Sequence, residues 1–225
     1  MKVVVGEILP LALVVAISPI NVIPVILLLF TKRPLVNAVC FLAGFIAGVA
    51  AVLGACVAIA EAVDLSTDSG HATWVTVLKL ALGVYLLVAA VRKFRGRPRT
   101  GEEGAMPKWM DGISGFSPGK SLGAGLALGA VNPKNVVVGL AAAATIASAV
   151  LSSGQQVAAI AIYVLVAVLG VAAPILATLL LGDRSHEVLD GWKAWLDQNN
   201  AAVMSVLFLI FGVVLIGQAI GATGP

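Results

Sequence analysis

The sequence predicts an all-α integral membrane protein with six transmembrane helices, arranged as two inverted three-helix repeats. Three observations carry that prediction. Of 225 residues, 60% are hydrophobic and only 11% charged, and the mean hydropathy is +1.06; a soluble domain is about 45–50% apolar and about 25% charged. Apolar stretches recur that are long enough to cross a bilayer, for which about 20 residues suffice. One unusual phrase also occurs twice, each time near the middle of such a stretch.

The phrase is Ala130-Val131-Asn132-Pro133-Lys134-Asn135-Val136-Val137, echoed by Ala16-Ile17-Ser18-Pro19-Ile20-Asn21-Val22-Ile23. A proline there removes a backbone donor and breaks the i to i−4 ladder. Lipid offers the freed carbonyls no partner. Amide and ionisable groups at that depth normally face a cavity or another helix. The first and fourth helices are therefore expected to break near the midplane, with polar groups converging. The plainer alternative is a kinked helix whose asparagines bond only to a neighbour. Two more echoes follow in the same order: Gly48-Val49-Ala50-Ala51 with Gly170-Val171-Ala172-Ala173, and Leu82-Gly83-Val84-Tyr85-Leu86 with Phe211-Gly212-Val213-Val214-Leu215. An odd number of spans per copy forces the copies to insert in opposite senses. An inverted repeat with matching broken helices points to a transporter with its site between the repeats.

In chain order the spans fall at about 3–30, 35–60, 73–94, 118–151, 156–181 and 199–221. The whole chain reads as one membrane domain: a first repeat at 1–94, a basic cytoplasmic segment at 95–117 and a second repeat at 118–225. Span one carries Lys2 ahead of an apolar run but is too long for a signal peptide, holds Glu7, and is half of the duplication. The tight connection Thr31-Lys32-Arg33-Pro34 makes spans one and two antiparallel neighbours. Span two contains Gly44 and Gly48, a spacing that lets helix backbones approach, either within the chain or in a homodimer. Cys40 and Cys56 share that helix. At about 1.5 Å per residue they stand roughly 24 Å apart, too far for a disulfide. Lys79 lies about two turns into span three, where it either snorkels to the interface or faces the cavity.

Arg92, Lys93, Arg95, Arg97, Arg99 and Lys108 make the one strongly basic stretch. By the positive-inside rule that loop is cytoplasmic, which puts both termini of a six-span chain outside. Lys32, Arg33, Arg184 and Lys193 then fall inside, and the acidic Glu61, Asp64 and Asp68 outside; Lys2 alone opposes. Beside a helix end, basic residues read as topology and contact with anionic membrane lipids rather than with nucleic acid. Met106, Trp109, Met110 and Ile113, and again Leu189, Trp192 and Leu196, recur at helical spacing. Each set predicts a short helix in the cytoplasmic interface or packed on the bundle.

Enzymatic motifs are missing. Residues Gly115 to Ser121 fall one short of a phosphate-binding loop and no strand precedes them. Ser117 and Lys120 form an S-x-x-K without its companion motifs. His71 and His186 fall on opposite sides of the membrane in this topology, so no metal cluster and no cofactor is expected. No span carries a carboxylate at its centre.

Met106-Pro107-Lys108-Trp109-Met110, Phe116-Ser117-Pro118 and Asn132-Pro133-Lys134-Asn135 together resemble the GAP family, also called the Sap or sulfolipid-addressing family, within the LysE transporter superfamily. Ser18, Pro19 and Asn21 fit it as well. The resemblance implies export of envelope glycolipids, peptidoglycolipids or sulfolipids across the plasma membrane of actinobacteria. The superfamily also holds exporters of amino acids and metal ions, and thiol-redox proteins that need a cysteine pair in different helices, which this chain lacks.

The residues themselves favour an anionic or amphiphilic substrate. Lys134 and Lys79 supply positive charge; Ser18, Asn21, Asn132 and Asn135 supply neutral donors and acceptors beside Pro19 and Pro133; helix N-termini add partial positive charge. The expectation is an alternating-access exporter or flippase for an envelope lipid. The alternatives are an exporter of a small solute such as an amino acid, and a non-transporting accessory subunit bound to envelope-lipid biosynthesis enzymes.

Overall fold

The computed structural model describes residues 1–64, 71–96 and 108–221. Every regular element among them is helical: α1 (Lys2–Ala16), α2 (Pro19–Leu29), α3 (Pro34–Asp64), α4 (His71–Arg95), a short 3-10 helix (Lys108–Gly115), α5 (Pro118–Ala130), α6 (Pro133–Ala147), α7 (Ser153–Ala167), α8 (Leu169–Leu181), a 3-10 turn (Gly182–Arg184) and α9 (Ser185–Gly221). The protein is membrane-embedded by length and apolarity. Two helical stretches are long and apolar enough to cross a membrane: Pro34–Ala60 within α3, and Leu169–Gly221, which takes in α8, the 3-10 turn and α9. Two bent pairs qualify as broken spans: α1 with α2 at 49° and α5 with α6 at 54°.

Proline opens α2, α3, α5 and α6. It suits a first helical position because its missing N–H would have no intrahelical partner there. Ser117 caps α5, and Ser152 with Gln155 forms a capping box at α7. The breaks fall where Pro19 and Pro133 predict them.

Glycine sets the closest packing. Gly44 and Gly48 on α3 face Gly125 and Gly129 on α5; a Cβ at Gly44 would overlap the Leu122 carbonyl, and one at Gly125 the Phe41 carbonyl. The GxxxG face of α3 is thus taken up inside the chain. Gly83 on α4 faces Gly212 on α9, where an added Cβ would lie 3.0 Å from the Gly212 carbonyl oxygen. Gly170 at the start of α8 abuts the Ala16 carbonyl, and Gly48 lies against Gly129 and the Ala130 amide. Such contacts let helices approach closely where the hydrophobic effect gives no help.

One expectation changes. Leu189, Trp192 and Leu196 do not form a separate interfacial helix; they belong to the first turns of α9, which runs unbroken to Gly221. The basic stretch divides: Arg92, Lys93 and Arg95 lie in the last turn of α4, while Arg97, Arg99, Met106 and Pro107 fall outside the described residues, as does Asp68. Of the interfacial residues expected before span four, Met110 and Ile113 are buried, so that short helix docks on the bundle. Cys40 and Cys56 are free thiols on one helix.

Candidate functional site

The two breaks meet. Asn132 donates from Nδ2 to Asn21 Oδ1 across 3.4 Å, joining residues 111 apart in sequence. The local reason is an accounting of carbonyls. Ile17 leaves the helical conformation at ψ 15°, which turns the Ser18 amide away, so the Val14 carbonyl loses its amide donor. Pro19 has none to give, so Val15 loses its own. Val131, at φ −104° and ψ −11°, and Pro133 do the same to Leu128 and Gly129. Buried carbonyls need partners, and polar side chains supply them. Asn21 donates to Val15 at 3.1 Å. Asn135 donates to Leu128 at 2.9 Å. Lys134 Nζ crosses between the pairs and donates to Val14 at 2.9 Å.

Asn132 does double duty, since its Oδ1 also accepts from the Lys134 amide at 3.2 Å and caps α6. Ser18, its counterpart at α2, makes no side-chain cap, and its buried Oγ lacks a hydrogen-bond partner. The Lys134 side chain lies deep in the protein, with the residue only 8% exposed. The two ion pairs found among the described residues, Lys79–Glu7 and Lys193–Asp197, do not include it. One region therefore holds a lysine side chain, three carboxamides, a hydroxyl and two helix N-termini.

Seven of the eight residues expected at the site, Ser18, Pro19, Asn21, Asn132, Pro133, Lys134 and Asn135, are brought together at the breaks. Lys79 is not. Its Nζ reaches Glu7 Oε2 on α1 at 3.4 Å. Glu7 stands ten residues before Ile17, roughly 15 Å along the helix from the break. Sequence reasoning missed this pair. The available signal was an opposite charge in each of two spans, since ionisable groups within a membrane usually find one another. It also missed the Val14 carbonyl, whose role depends on the crossing of the breaks and leaves no mark in residue type.

Beside the first break lies an apolar cavity of about 430 Å³, lined by Leu13, Ala16, Ile17, Gly170, Trp192 and Trp195 among others. Ile17 is about half exposed, as are Leu13 and Trp195, so the cavity opens to the surroundings. Among the described residues no group of His, Cys, Asp and Glu is placed to hold a metal.

No curated protein and no solved structure matches the chain. The sequence profile described as "Sap, sulfolipid-1-addressing protein" matches residues 8–221, which takes in both breaks and every helix that packs against them. The chain belongs to the Sap family of sulfolipid-1-addressing proteins.

Proposed function

We propose that this protein is a six-span exporter or flippase for an anionic or amphiphilic envelope lipid, working by alternating access between two inverted three-helix repeats. The observation that carries the reading is the crossing of the two breaks, with the buried Lys134 ammonium of one bonded to the Val14 carbonyl of the other. Discontinuous helices that meet between repeats are the usual setting of a transporter's substrate site. A cation with neutral donors suits a sulfate, phosphate or carboxylate head group. The apolar cavity beside the first break gives the hydrocarbon part of an amphiphile a place to lie. A cavity that opens among apolar side chains favours this substrate over a small polar solute.

The inverted repeat gains support from reciprocal contacts. The echoes pair Ala16 with Ala130 and Gly48 with Gly170. In the fold Gly170 abuts Ala16, and Gly48 abuts Ala130. The third echo pairs Gly83 with Gly212, and these two face each other. Contact of i with j′ and of i′ with j is what a two-fold relation produces. The topology that goes with it puts the basic segment in the cytoplasm and both termini outside the plasma membrane.

The test is lipid analysis of the outer envelope in a strain lacking this protein, with and without complementation. An anionic envelope lipid should disappear from the outer layer, accumulate inside, and return on complementation. An unchanged distribution of every envelope lipid would overturn the proposal.

A further inference from the structure

We infer that a single ordered water molecule is bound at the second break, held by Asn135, Tyr163 and the Gly129 carbonyl. Asn135 Oδ1 and the Tyr163 hydroxyl are both buried without a hydrogen-bond partner, in residues only 4% and 1% exposed. Both residues line one small cavity of about 10 Å³, together with Gly129, Gly139, Val15 and Val49. Buried polar atoms without partners are costly and are commonly satisfied by internal water. One water needs about 10–15 Å³ and two to four polar partners. The hydroxyl donates to the water. The water donates to Asn135 Oδ1 and to the Gly129 carbonyl, whose helical donor Pro133 removes.

A monovalent cation is the competing occupant, because all three groups offer oxygen. It fits less well. Three neutral oxygens are few for a hard cation, and the Lys134 ammonium is on the neighbouring residue. The internal echoes add a second argument. Carried back from Gly170 and Gly48, they pair Tyr163 with Phe41, and Asn135 pairs with Asn21. Asn21 Oδ1 already has Asn132 as its donor, and Phe41 has no hydroxyl. The extra hydroxyl occurs in the half where the amide oxygen lacks a protein partner. The bound water joins α5, α6 and α7 at the point where the ladder of the broken helix is open.

The test uses thermal unfolding of the full-length protein in detergent. A Cβ at Gly139 would meet only Val52 Cγ1 at 3.8 Å, so alanine fits the protein atoms, and alanine normally stabilises a helix interior relative to glycine. Gly139 lines the cavity, so with a water in place the added methyl of Gly139→Ala crowds it and should lower Tm by on the order of 2–4 °C. Tyr163→Phe should lower Tm as well. The double variant should lose less than the sum of the two, because both act through one molecule. A rise in Tm for Gly139→Ala, or strictly additive losses, would overturn the inference. Replacing sodium chloride with choline chloride should leave the wild-type Tm unmoved; a sodium-specific rise would assign the cavity to a cation instead.

Discussion

An ammonium at the depth of Lys134 is costly unless something solvates it. The Val14 carbonyl accepts a hydrogen bond from one of its three N–H groups. In the proposed function the other two face the substrate's anionic group. Lys134→Gln keeps a donor for Val14 and removes the charge, so export should fall at least tenfold at equal protein level. Lys134→Arg should retain part of it. Wild-type export by Lys134→Gln would reduce Lys134 to a carbonyl cap. The asparagines are already committed to backbone, and that sets a different expectation. Asn21→Ala leaves the Val15 carbonyl buried and unpaired, which should cost about 1–3 kcal/mol of stability. Asn132→Ala removes the α6 cap, worth about 1 kcal/mol, along with the contact to Asn21. Thermal unfolding of each variant, set beside its transport rate, separates the structural loss from the functional one.

At the scale of the element, glycine pairs and proline breaks decide where helices lie. Gly125 has the Phe41 carbonyl directly over it. Gly125→Val must push α3 and α5 apart, and overpacking of this kind should cost about 1–3 kcal/mol or more, read as lost folded yield in detergent. The same change at Gly123, which faces open space, should be tolerated. The breaks were legible in the sequence because proline lacks an amide wherever it stands, and because the phrase around it occurs twice. The Gly44–Gly48 motif was legible as a close contact, but not as a contact with α5 rather than with a second chain. The continuity of α9 was not legible. Leu189, Trp192 and Leu196 have the spacing of an amphipathic helix, and spacing does not record whether the next turn carries straight on. The partners of Lys79 and Lys134 escaped for a related reason: Glu7 and the Val14 carbonyl lie 72 and 120 residues away, and only the packing of α1 brings them close.

For the whole molecule, the proposed topology makes a direct demand on labelling. Cysteines introduced one at a time, as Thr67→Cys and Pro98→Cys, in a protein with Cys40 and Cys56 replaced, should react from opposite faces of the membrane. Residue 67 should label from outside and residue 98 from the cytoplasm; labelling from one face would overturn the six-span arrangement. The central claim is that the crossed breaks move an anionic amphiphile across the bilayer. The most direct measurement is leaflet exchange of a fluorescent anionic lipid in liposomes containing the purified protein, read by a quencher that reaches only the outer leaflet. The account predicts faster exchange with wild-type protein than with Lys134→Gln or with no protein. Equal exchange in all three would contradict it.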